Sequence, residues 1–441
     1  MTKFKPGRPD DVSTASRDVA ERCRRFEGGG LRTFVEDPPF VWDRAEGCRI
    51  YDADGRAYLD MYAGFAVAAV GHAHPAVVEA IRRQAGELTH CPSAHPSRRR
   101  AEFLEALASI AAPGLDRFLP AVTGAMANEV ALALARTARE GGEVIAFSGG
   151  YLGRTAGVVG LAGKASYREA LGVPPAAHFV PYPYPLRMGK GTTELVIEHL
   201  ERLTGPAGGV GRLAAVILEP IQGNGGVIIP PPDFLPAIRR FCDRTGALLI
   251  LDEIQSGFGR TGKMWATEHV GVSPDLMSVG KGIGGGLAAA AVLGRDDLMQ
   301  WDPDAYTSTF LTNNLNLAAA TAAIEVMRSE ELDRRAARLG PGSLSRLQEL
   351  VENLPRVAEV RGVGLWFGIE LVDQDGTPDS ALAARVVRRA RERGVIVGRG
   401  GYEGHVIKLS PPLVIADSEL DRGIELTAEA LVAAAEEGDI R

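Results

Sequence analysis

Short apolar runs alternate with longer segments of helical spacing through the middle of the chain. Five of these runs consist almost entirely of apolar residues, as in parallel strands that are buried on both faces. They are Glu143–Phe147, Leu213–Leu218, Ala247–Leu251, Leu276–Val279 and Ala289–Leu293. Alternation of such strands with helices predicts an α/β fold, with a mainly parallel central sheet and helices on both of its faces.

Two of the intervening segments have the spacing of good helices. Met126–Arg139 is rich in alanine, and Phe234–Arg244 follows Asp233, a candidate N-cap. Nearer the N-terminus, Cys48–Met61 predicts a hairpin, because apolar residues flank Asp54-Gly55, a dipeptide favoured in tight hairpin turns.

The pattern changes after about residue 316 and indicates a smaller α+β unit. The segments with helical spacing are Leu317–Arg328, Arg334–Leu354, Ser380–Arg393 and Ser418–Glu437. The strand-like segments are Gly364–Val372 and Val395–Val397. We therefore predict a large domain over residues 66–320 and a small C-terminal domain over 321–441. Residues 1–65 are expected to contribute to the small domain.

Composition and charge narrow the class of protein. The 441 residues are 45% hydrophobic and 24% charged, which is ordinary for a globular protein. The net charge of −7 provides no basic field for nucleic acid or anionic lipid. No apolar run reaches the length of a membrane span, no signal-peptide core begins the chain, and no histidines or cysteines have metal-binding spacing. We expect a cytoplasmic protein that binds neither membrane, nucleic acid nor metal.

Two glycine-rich segments match nucleotide-binding motifs only formally. Gly280–Gly285 fits GxGxxG, but no strong single helix follows it. Gly257–Lys263 approaches the P-loop, but Met264 stands where a magnesium-binding Ser or Thr is required. A non-catalytic nucleotide-binding protein is therefore the weakest of the functional alternatives.

A carboxylate and an amine follow two of the predicted strands. Asp252 comes at the carboxyl end of one apolar run, and Lys281 comes after another and is followed at once by glycine. Open α/β sheets bind their ligands at this edge. The structural alternatives are that Asp252 caps a helix or lies in a solvated turn, and that Lys281 lies in a surface loop. The presence of a carboxylate at the end of a neighbouring strand favours a functional role for the Lys281 amine.

The segment that contains both residues resembles a known signature. Asp252–Lys263, Pro274-Asp275 and Ser278–Gly282 closely resemble the class III aminotransferases, which are pyridoxal phosphate enzymes of fold type I. The resemblance extends from about Tyr51 to Ile415. It includes Gly71–Pro75, Ala127–Glu129, Gly153–Thr155, Glu219-Pro220, Gly223, Gly225-Gly226, Arg361–Leu365 and Pro411–Leu413.

The resemblance implies roles for the residues of the signature. Pyridoxal phosphate is a strong electron sink only while its ring nitrogen is protonated, so a carboxylate should face that nitrogen, and Asp252 is the candidate. Lys281 would hold the aldehyde as a Schiff base and then act as the general base on the Cα proton. Gln255 would approach the phenolic oxygen of the ring.

The resemblance also implies a phosphate site and a dimer. Thr123, Gly124 and Ala125 match the turn that cradles the phosphate, although the family usually has Ser or Thr in place of Ala125. Tyr151 matches the aromatic residue that stacks on the ring, with a core role as its alternative. Thr309 matches the threonine that reaches the phosphate of the partner subunit, which implies a homodimer with shared active sites.

Departures from the family pattern concern the substrate. Lys408 replaces the usual carboxylate-binding arginine, and Asn224 stands where several members have the glutamate that pairs with it. Glu219 is expected either to meet a substrate amino group or to be structural, and Lys408 either to bind substrate or to be a strand-edge lysine. These differences point toward an amine or amino-sugar donor, as in aminoglycoside-type biosynthesis, with a keto acid as co-substrate.

Two classes of reaction remain open at this stage. Aminotransfer is the leading hypothesis, but racemases, epimerases and phospho-lyases share this architecture and would use Lys281 and Asp252 equally well.

Overall fold

A computed structural model describes residues 14–31 and 40–437 of the chain. The strands in this part form one seven-stranded and two four-stranded sheets. They are β1 (Trp42–Glu46), β2 (Arg49–Asp52), β3 (Ala57–Asp60), β4 (Arg117–Ala121), β5 (Glu143–Phe147), β6 (His178–Val180), β7 (Leu213–Leu218), β8 (Leu248–Asp252), β9 (Leu276–Val279), β10 (Ala290–Gly294), β11 (Val357–Val363), β12 (Trp366–Leu371), β13 (Val395–Ile396), β14 (Gly398–Gly400) and β15 (Val406–Leu409).

The helices of the same residues cover the sheets. They are α1 (Thr14–Phe26), α2 (Ala63–Ala66), α3 (Pro75–Glu87), α4 (Arg98–Ala108), α5 (Gly124–Ala138), α6 (Ala156–Val159), α7 (Ala165–Glu169), α8 (Pro185–Met188), α9 (Thr192–Thr204), α10 (Phe234–Thr245), α11 (Asn314–Ser329), α12 (Leu332–Val351), α13 (Ser380–Glu392) and α14 (Asp417–Glu436). Short 3₁₀ turns lie at Ala266–His269, Lys281–Gly284 and Asp296–Leu298.

The seven-stranded sheet has the order β4-β10-β9-β8-β7-β5-β6. Its five strands from β9 to β6 are parallel to one another, and every residue of β7 and β8 is buried. Along β7, Ala215 and Ile217 belong to the core under α5, whereas Val216 and Leu218 belong to the core under α10. Helices therefore cover both faces of this sheet, as predicted.

The prediction that Ala289–Leu293 is a parallel strand is wrong. This segment is β10, which runs antiparallel to both β9 and β4. A parallel crossover needs a dozen or more residues and usually a helix. The connection between β9 and β10 contains only the 3₁₀ turn Lys281–Gly284, so the chain reverses and pairs with the strand it has just left.

The predicted hairpin is present, since β2 and β3 pair antiparallel around Gly55, whose φ is +78°. The predicted cap of α10 is not formed by its side chain: Asp233 is at the N-cap position but makes no capping bond, and it accepts a hydrogen bond from Thr193 Oγ1 at 3.0 Å instead. Strands β1, β4, β6, β11, β14 and β15 were not predicted.

The C-terminal sheet has the order β11-β12-β15-β14 and is antiparallel. The N-terminal sheet continues from β3 to β13, which pairs parallel to it. Strands from the two ends of the chain thus share one sheet, as expected if the N-terminal segment contributes to the small domain. The domain boundaries at residues 66 and 321 remain predictions.

Candidate active site

Asp252 and Lys281 lie at the carboxyl ends of neighbouring parallel strands. Asp252 is the last residue of β8, and Lys281 follows β9 after one glycine. Strand β8 pairs parallel with β9 through Asp252 and Ser278, so both ends meet at the same edge of the sheet. This is the edge at which α/β sheets form ligand crevices.

Asp252 is a buried carboxylate whose hydrogen bonds come from neutral donors. Only 4% of the residue is exposed; Asn128 Nδ2 donates to one carboxylate oxygen at 2.7 Å, and the Ile254 amide donates to the other at 2.9 Å. Among the described residues no lysine or arginine forms an ion pair with it. Burial raises the pKa of Asp252 from 3.8 to about 6, although both hydrogen bonds and the charge of Lys281 oppose the rise.

Lys281 is half-buried and its backbone is strained. Its φ of +47° lies in the left-handed region that side chains other than glycine rarely adopt. Desolvation lowers the pKa of the amine from 10.5 to about 8, while Asp252 and Glu219 act in the opposite direction. A substantial fraction of the amine is therefore neutral near physiological pH, as a nucleophile or general base requires.

The turn before α5 presents backbone amides at a helix start. Thr123 is the N-cap of α5, and its Oγ1 accepts a hydrogen bond from the Met126 amide at 3.2 Å. Gly124 lies against Ile254, because a Cβ at Gly124 would come within 2.7 Å of Ile254 Cδ1. Among the described residues the amides of Gly124 and Ala125 have no hydrogen-bond partner. With the positive end of the helix dipole, they form a site suited to an anion.

Glu219 is buried and is held by two backbone amides. Its Oε1 accepts from the Tyr151 amide at 2.8 Å, and its Oε2 accepts from the Gly223 amide at 3.0 Å. Burial, followed by the neighbouring Asp252, raises the pKa of Glu219 to about 7. These bonds give Glu219 a structural role, namely to join the backbone of Tyr151 to the turn that begins at Gly223.

Gln255 packs against the same turn. A Cβ at Gly223 would lie 2.4 Å from Gln255 Oε1 and 2.7 Å from Cζ2 of the buried Trp366, so a side chain at this position would have to displace both. Tyr151 in turn meets Tyr167 edge-on, with ring centroids 5.8 Å apart. The structure therefore brings Tyr151, Gln255 and Glu219 together around Gly223.

Asn224 and Lys408 contact different partners and do not form a pair. Asn224 Nδ2 donates to Tyr167 Oη at 2.9 Å. Lys408 is only 2% exposed, and its Nζ donates to the Gly223 carbonyl at 3.3 Å and lies 5.8 Å from the centroid of the Tyr62 ring. The strand-edge alternative for Lys408 is wrong, because β15 lies between β12 and β14 inside its sheet.

The buried amine of Lys408 completes a cluster of four charged side chains. Burial lowers its pKa to about 7, with the charge of Lys281 lowering it further and that of Glu219 raising it. We refer to Asp252, Glu219, Lys281 and Lys408 as the charged cluster. Two acids and two amines thus share one crevice, and each has a pKa displaced toward neutrality.

Thr309 is exposed and makes no hydrogen bond to the described residues. Its neighbours hold the segment in place: Thr312 Oγ1 donates to the Cys91 carbonyl at 2.9 Å, and the hydroxyls of Thr307 and Ser93 are 3.2 Å apart. Among the described residues of the single chain, no hydrogen bond joins Thr309 to the Thr123–Ala125 turn.

Sequence reasoning missed two residues that organise the crevice. Asn128 is fully buried and bridges Asp252 to the Leu152 carbonyl, to which its Nδ2 donates at 2.8 Å. Tyr167 links Asn224 to Tyr151, and the guanidinium of Arg154 lies 3.7 Å from its ring centroid. A polar residue on the buried face of an alanine-rich helix was the available signal for Asn128.

Comparison with known proteins identifies the family. The family described as "Aminotransferase class-III" matches residues 33–431. The chain belongs to the class III aminotransferases. It is 37% identical to a diaminobutyrate–2-oxoglutarate aminotransferase of Rhizobium meliloti, covering 91% of this chain and 90% of the relative. It is also 37% identical to an acetylornithine aminotransferase of Methanothermobacter thermautotrophicus, with 93% and 97% covered.

Solved structures of transaminases share the whole fold of this class III aminotransferase. The ornithine aminotransferase of Toxoplasma gondii superposes with a TM-score of 0.84 at 30% identity, covering 97% of each chain. An (S)-enantioselective omega-transaminase from Thermomicrobium roseum gives 0.87 at 29% identity, covering 96% of this chain and 99% of that one. The predicted fold type, enzyme class and pyridoxal phosphate cofactor are thereby confirmed.

Two further observations on this class III aminotransferase concern membrane spans and metal sites. Among residues 14–31 and 40–437, no helix is long and apolar enough to cross a membrane. In the same residues, no group of three or more His, Cys, Asp or Glu side chains is placed to hold a metal ion.

Proposed function

We propose that Lys281 carries the pyridoxal phosphate of this aminotransferase and that Asp252 faces the ring nitrogen of the cofactor. One observation carries the proposal: the two side chains end adjacent parallel strands, and the buried Asp252 has no cationic partner within ion-pair distance among the described residues. A buried carboxylate without such a partner is costly and suits a site that receives a protonated ring nitrogen.

The remaining contacts of the cofactor follow from the same crevice. The helix-start amides of Thr123–Ala125 suit a phosphate group, and the Tyr151 ring is available to stack on the pyridine ring. Gln255, packed at Gly223, would approach the phenolic oxygen. When bound, the cofactor supplies an electron sink for the carbon that loses its proton. Once the amine of the donor has displaced Lys281 from the cofactor aldehyde, the freed Lys281 amine would take up that proton in its neutral form and return it.

We propose that the donor carries a primary amine and that the acceptor is a keto acid. Related aminotransferases are named for diaminobutyrate, acetylornithine and 4-aminobutyrate as substrates. Lys408 presents a compact charge where a planar arginine fork would bind a carboxylate in two places, so carboxylate recognition should be weaker here. An amino-sugar donor is the second candidate. It is favoured by Lys408 in place of the arginine and by Asn224, whose side chain donates a hydrogen bond to Tyr167.

We also propose a homodimer in which each Thr309 reaches the phosphate site of the other subunit. In the single chain Thr309 is exposed, and the adjacent Phe310 is 59% exposed. An exposed phenylalanine beside a hydroxyl is consistent with a surface that a second copy covers.

Borohydride reduction followed by peptide mapping tests the assignment of the cofactor. The label should be found on Lys281, with the exposed Lys263 as the internal control. In parallel, 4-aminobutyrate, diaminobutyrate and an amino-sugar should be incubated with 2-oxoglutarate or pyruvate, and both keto-acid consumption and loss of substrate nitrogen measured. A label elsewhere would disprove the site, and retention of nitrogen with scrambled stereochemistry would favour a racemase or epimerase.

A further inference from the structure

Arg361 connects the C-terminal sheet to the turn that carries the substrate side of the crevice. It lies on β11 and is 9% exposed. Its Nε donates to the Gly226 carbonyl at 3.1 Å and to the Val227 carbonyl at 3.0 Å, and its Nη2 donates to the same Gly226 carbonyl at 2.7 Å. Three of its hydrogen bonds therefore end on two consecutive backbone carbonyls.

Those carbonyls belong to a tight turn that begins at Gly223. The Gly226 amide donates to the Gly223 carbonyl at 3.2 Å, and Gln222 and Ile228 exchange two backbone hydrogen bonds at 3.1 Å each. Gly223 also binds the carboxylate of Glu219 through its amide and the amine of Lys408 through its carbonyl. The position of this turn therefore sets the position of two members of the charged cluster.

The other end of the Arg361 guanidinium is anchored by a buried carboxylate. Glu370 is fully buried and accepts hydrogen bonds from Arg361 Nη1 at 2.7 Å, from Arg187 Nε at 2.9 Å and from the Tyr184 hydroxyl. Burial alone would raise the pKa of Glu370, but the nearby His405 ring, the hydrogen bond from Tyr184 and the charge of Arg361 hold it well below its usual range. Arg361 also pairs with Glu359.

Backbone geometry shows that the turn is held from two sides. Gly226 has a φ of +118°, which only glycine adopts without strain. A Cβ at Gly226 would lie 2.9 Å from Val406 Cγ2 and 3.2 Å from Arg361 Nη2. The turn is thus fixed between the arginine and the strand that carries Lys408.

We propose that Arg361 is a positioning residue, which holds the Gly223–Val227 turn and through it sets Glu219 and Lys408 on the substrate side of the crevice. This inference rests on the proposed function of the crevice, since it assumes that the amino donor binds beside these two residues. A planar guanidinium is needed, because the side chain must donate hydrogen bonds to two adjacent carbonyls and, in another direction, to the Glu370 carboxylate. Lysine keeps the charge but cannot make this set of bonds.

Arg361→Lys is the central variant, and Arg187→Ala is its matched control. Arg187 binds the same Glu370, and among the described residues it makes no hydrogen bond to the Gly223–Val227 turn. Gly226→Ala disturbs the turn from the other side without removing any bond to Glu370. All three proteins are to be compared with the wild type as holoenzymes, by KM and kcat for the amino donor and by hydrogen exchange of residues 221–229.

Arg361→Lys and Gly226→Ala should each raise KM for the donor about tenfold, with a smaller effect on kcat, because roughly 1.4 kcal/mol of positioning corresponds to a factor of ten. Both should speed exchange of the turn amides, whereas Arg187→Ala should change neither quantity more than about twofold by the same conversion. Equal effects of Arg361→Lys and Arg187→Ala, or a lower melting temperature with KM and exchange unchanged, would overturn the proposal.

Amino-transfer kinetics and hydrogen exchange of the turn together separate this inference from the proposed function. If the wild type transfers no amino group but Arg361→Lys still loosens the turn, the function is wrong and the positioning role stands. If the wild type is active and Arg361→Lys leaves both exchange and KM unchanged, the positioning role alone fails. If Arg361→Lys does not fold, Gly226→Ala decides between the same outcomes.

Discussion

Asp252 should destabilise the folded protein that lacks its cofactor. The carboxylate is 4% exposed, and its hydrogen bonds come from Asn128 and Ile254 rather than from a cation. A pKa raised from 3.8 to about 6 corresponds to a penalty of about 3 kcal/mol above neutral pH, at 1.36 kcal/mol for each pKa unit. We therefore predict that Asp252→Asn stabilises the cofactor-free protein while it removes most of the activity of the holoenzyme.

The sign of the pH dependence follows from linkage. Because the pKa is higher in the folded than in the unfolded state, the folded protein binds more protons between about pH 4 and 6, and stability falls as pH rises through this window. The penalty is about 3 kcal/mol at pH 8 and about half of that at pH 5. The gain from Asp252→Asn should accordingly be larger at pH 8 than at pH 5.

Asp275 provides a matched control at the opposite edge of the sheet. It is also 4% exposed, but it accepts from Arg239 Nη1 at 2.8 Å, from the Leu249 amide at 2.8 Å and from Arg295. Removing one partner of a buried ion pair costs about 3–5 kcal/mol. Asp275→Asn should therefore destabilise the protein at both pH values, although the two substitutions are chemically the same.

Scanning calorimetry of the cofactor-free proteins measures both effects. For a chain of 441 residues, 3 kcal/mol corresponds to about 3 °C in the melting temperature, from about 2.1 cal/mol/K of unfolding entropy per residue. We expect a rise of up to about 3 °C for Asp252→Asn at pH 8 and a fall of at least about 3 °C for Asp275→Asn. A fall for Asp252→Asn at pH 8 as large as that for Asp275→Asn would refute the electrostatic reasoning.

Two further predictions address Asn128 and Thr309. Asn128→Ala removes a hydrogen bond that stabilises the ionised Asp252, worth about 1.5–3 kcal/mol, and should raise the pKa of that carboxyl by one to two units. Carboxyl titration of the cofactor-free protein by NMR checks this, and an unchanged pKa would contradict it. In mixtures of the inactive variants Lys281→Ala and Thr309→Ala, up to about a quarter of all sites should regain activity through mixed dimers. Activity assays after subunit exchange check this, and no recovery despite proven mixed dimers would show that Thr309 acts within its own chain.

Most strands that are buried on both faces could be predicted closely, and several of the others could not. The apolar runs Glu143–Phe147, Leu213–Leu218 and Leu276–Val279 have the predicted bounds, because burial on both faces leaves a continuous apolar signal. Strand β4 contains Arg117 and Pro120, and β11 is largely half-exposed, so neither carries that signal. The direction of β10 depended on the length of a connection rather than on composition.

The location of Asp252 and Lys281 at one edge of the sheet could be predicted, because both come at the ends of apolar strands and the carboxyl ends of parallel strands meet at one edge. The roles of Asn128 and Glu219 could not, because they depend on contacts between residues far apart in the chain. Asn128 reaches Asp252 across 124 positions, and Glu219 is held by two backbone amides that no side-chain pattern reveals. The sequence therefore left open whether Glu219 meets a substrate amine or is structural.

Buried charges form ion pairs at one edge of the central sheet but not at the other, and this contrast bears on function. At the amino edge, Asp275 is neutralised by two arginines, which stabilises the fold and leaves no charge for a ligand. At the carboxyl edge, no two members of the charged cluster form an ion pair with each other among the described residues, so each pKa moves toward neutrality. Natural selection for stability alone would pair or remove such groups, because an unpaired buried charge is costly. Their retention beside one another is explained if the crevice is completed by a cofactor and a substrate that supply the missing charges.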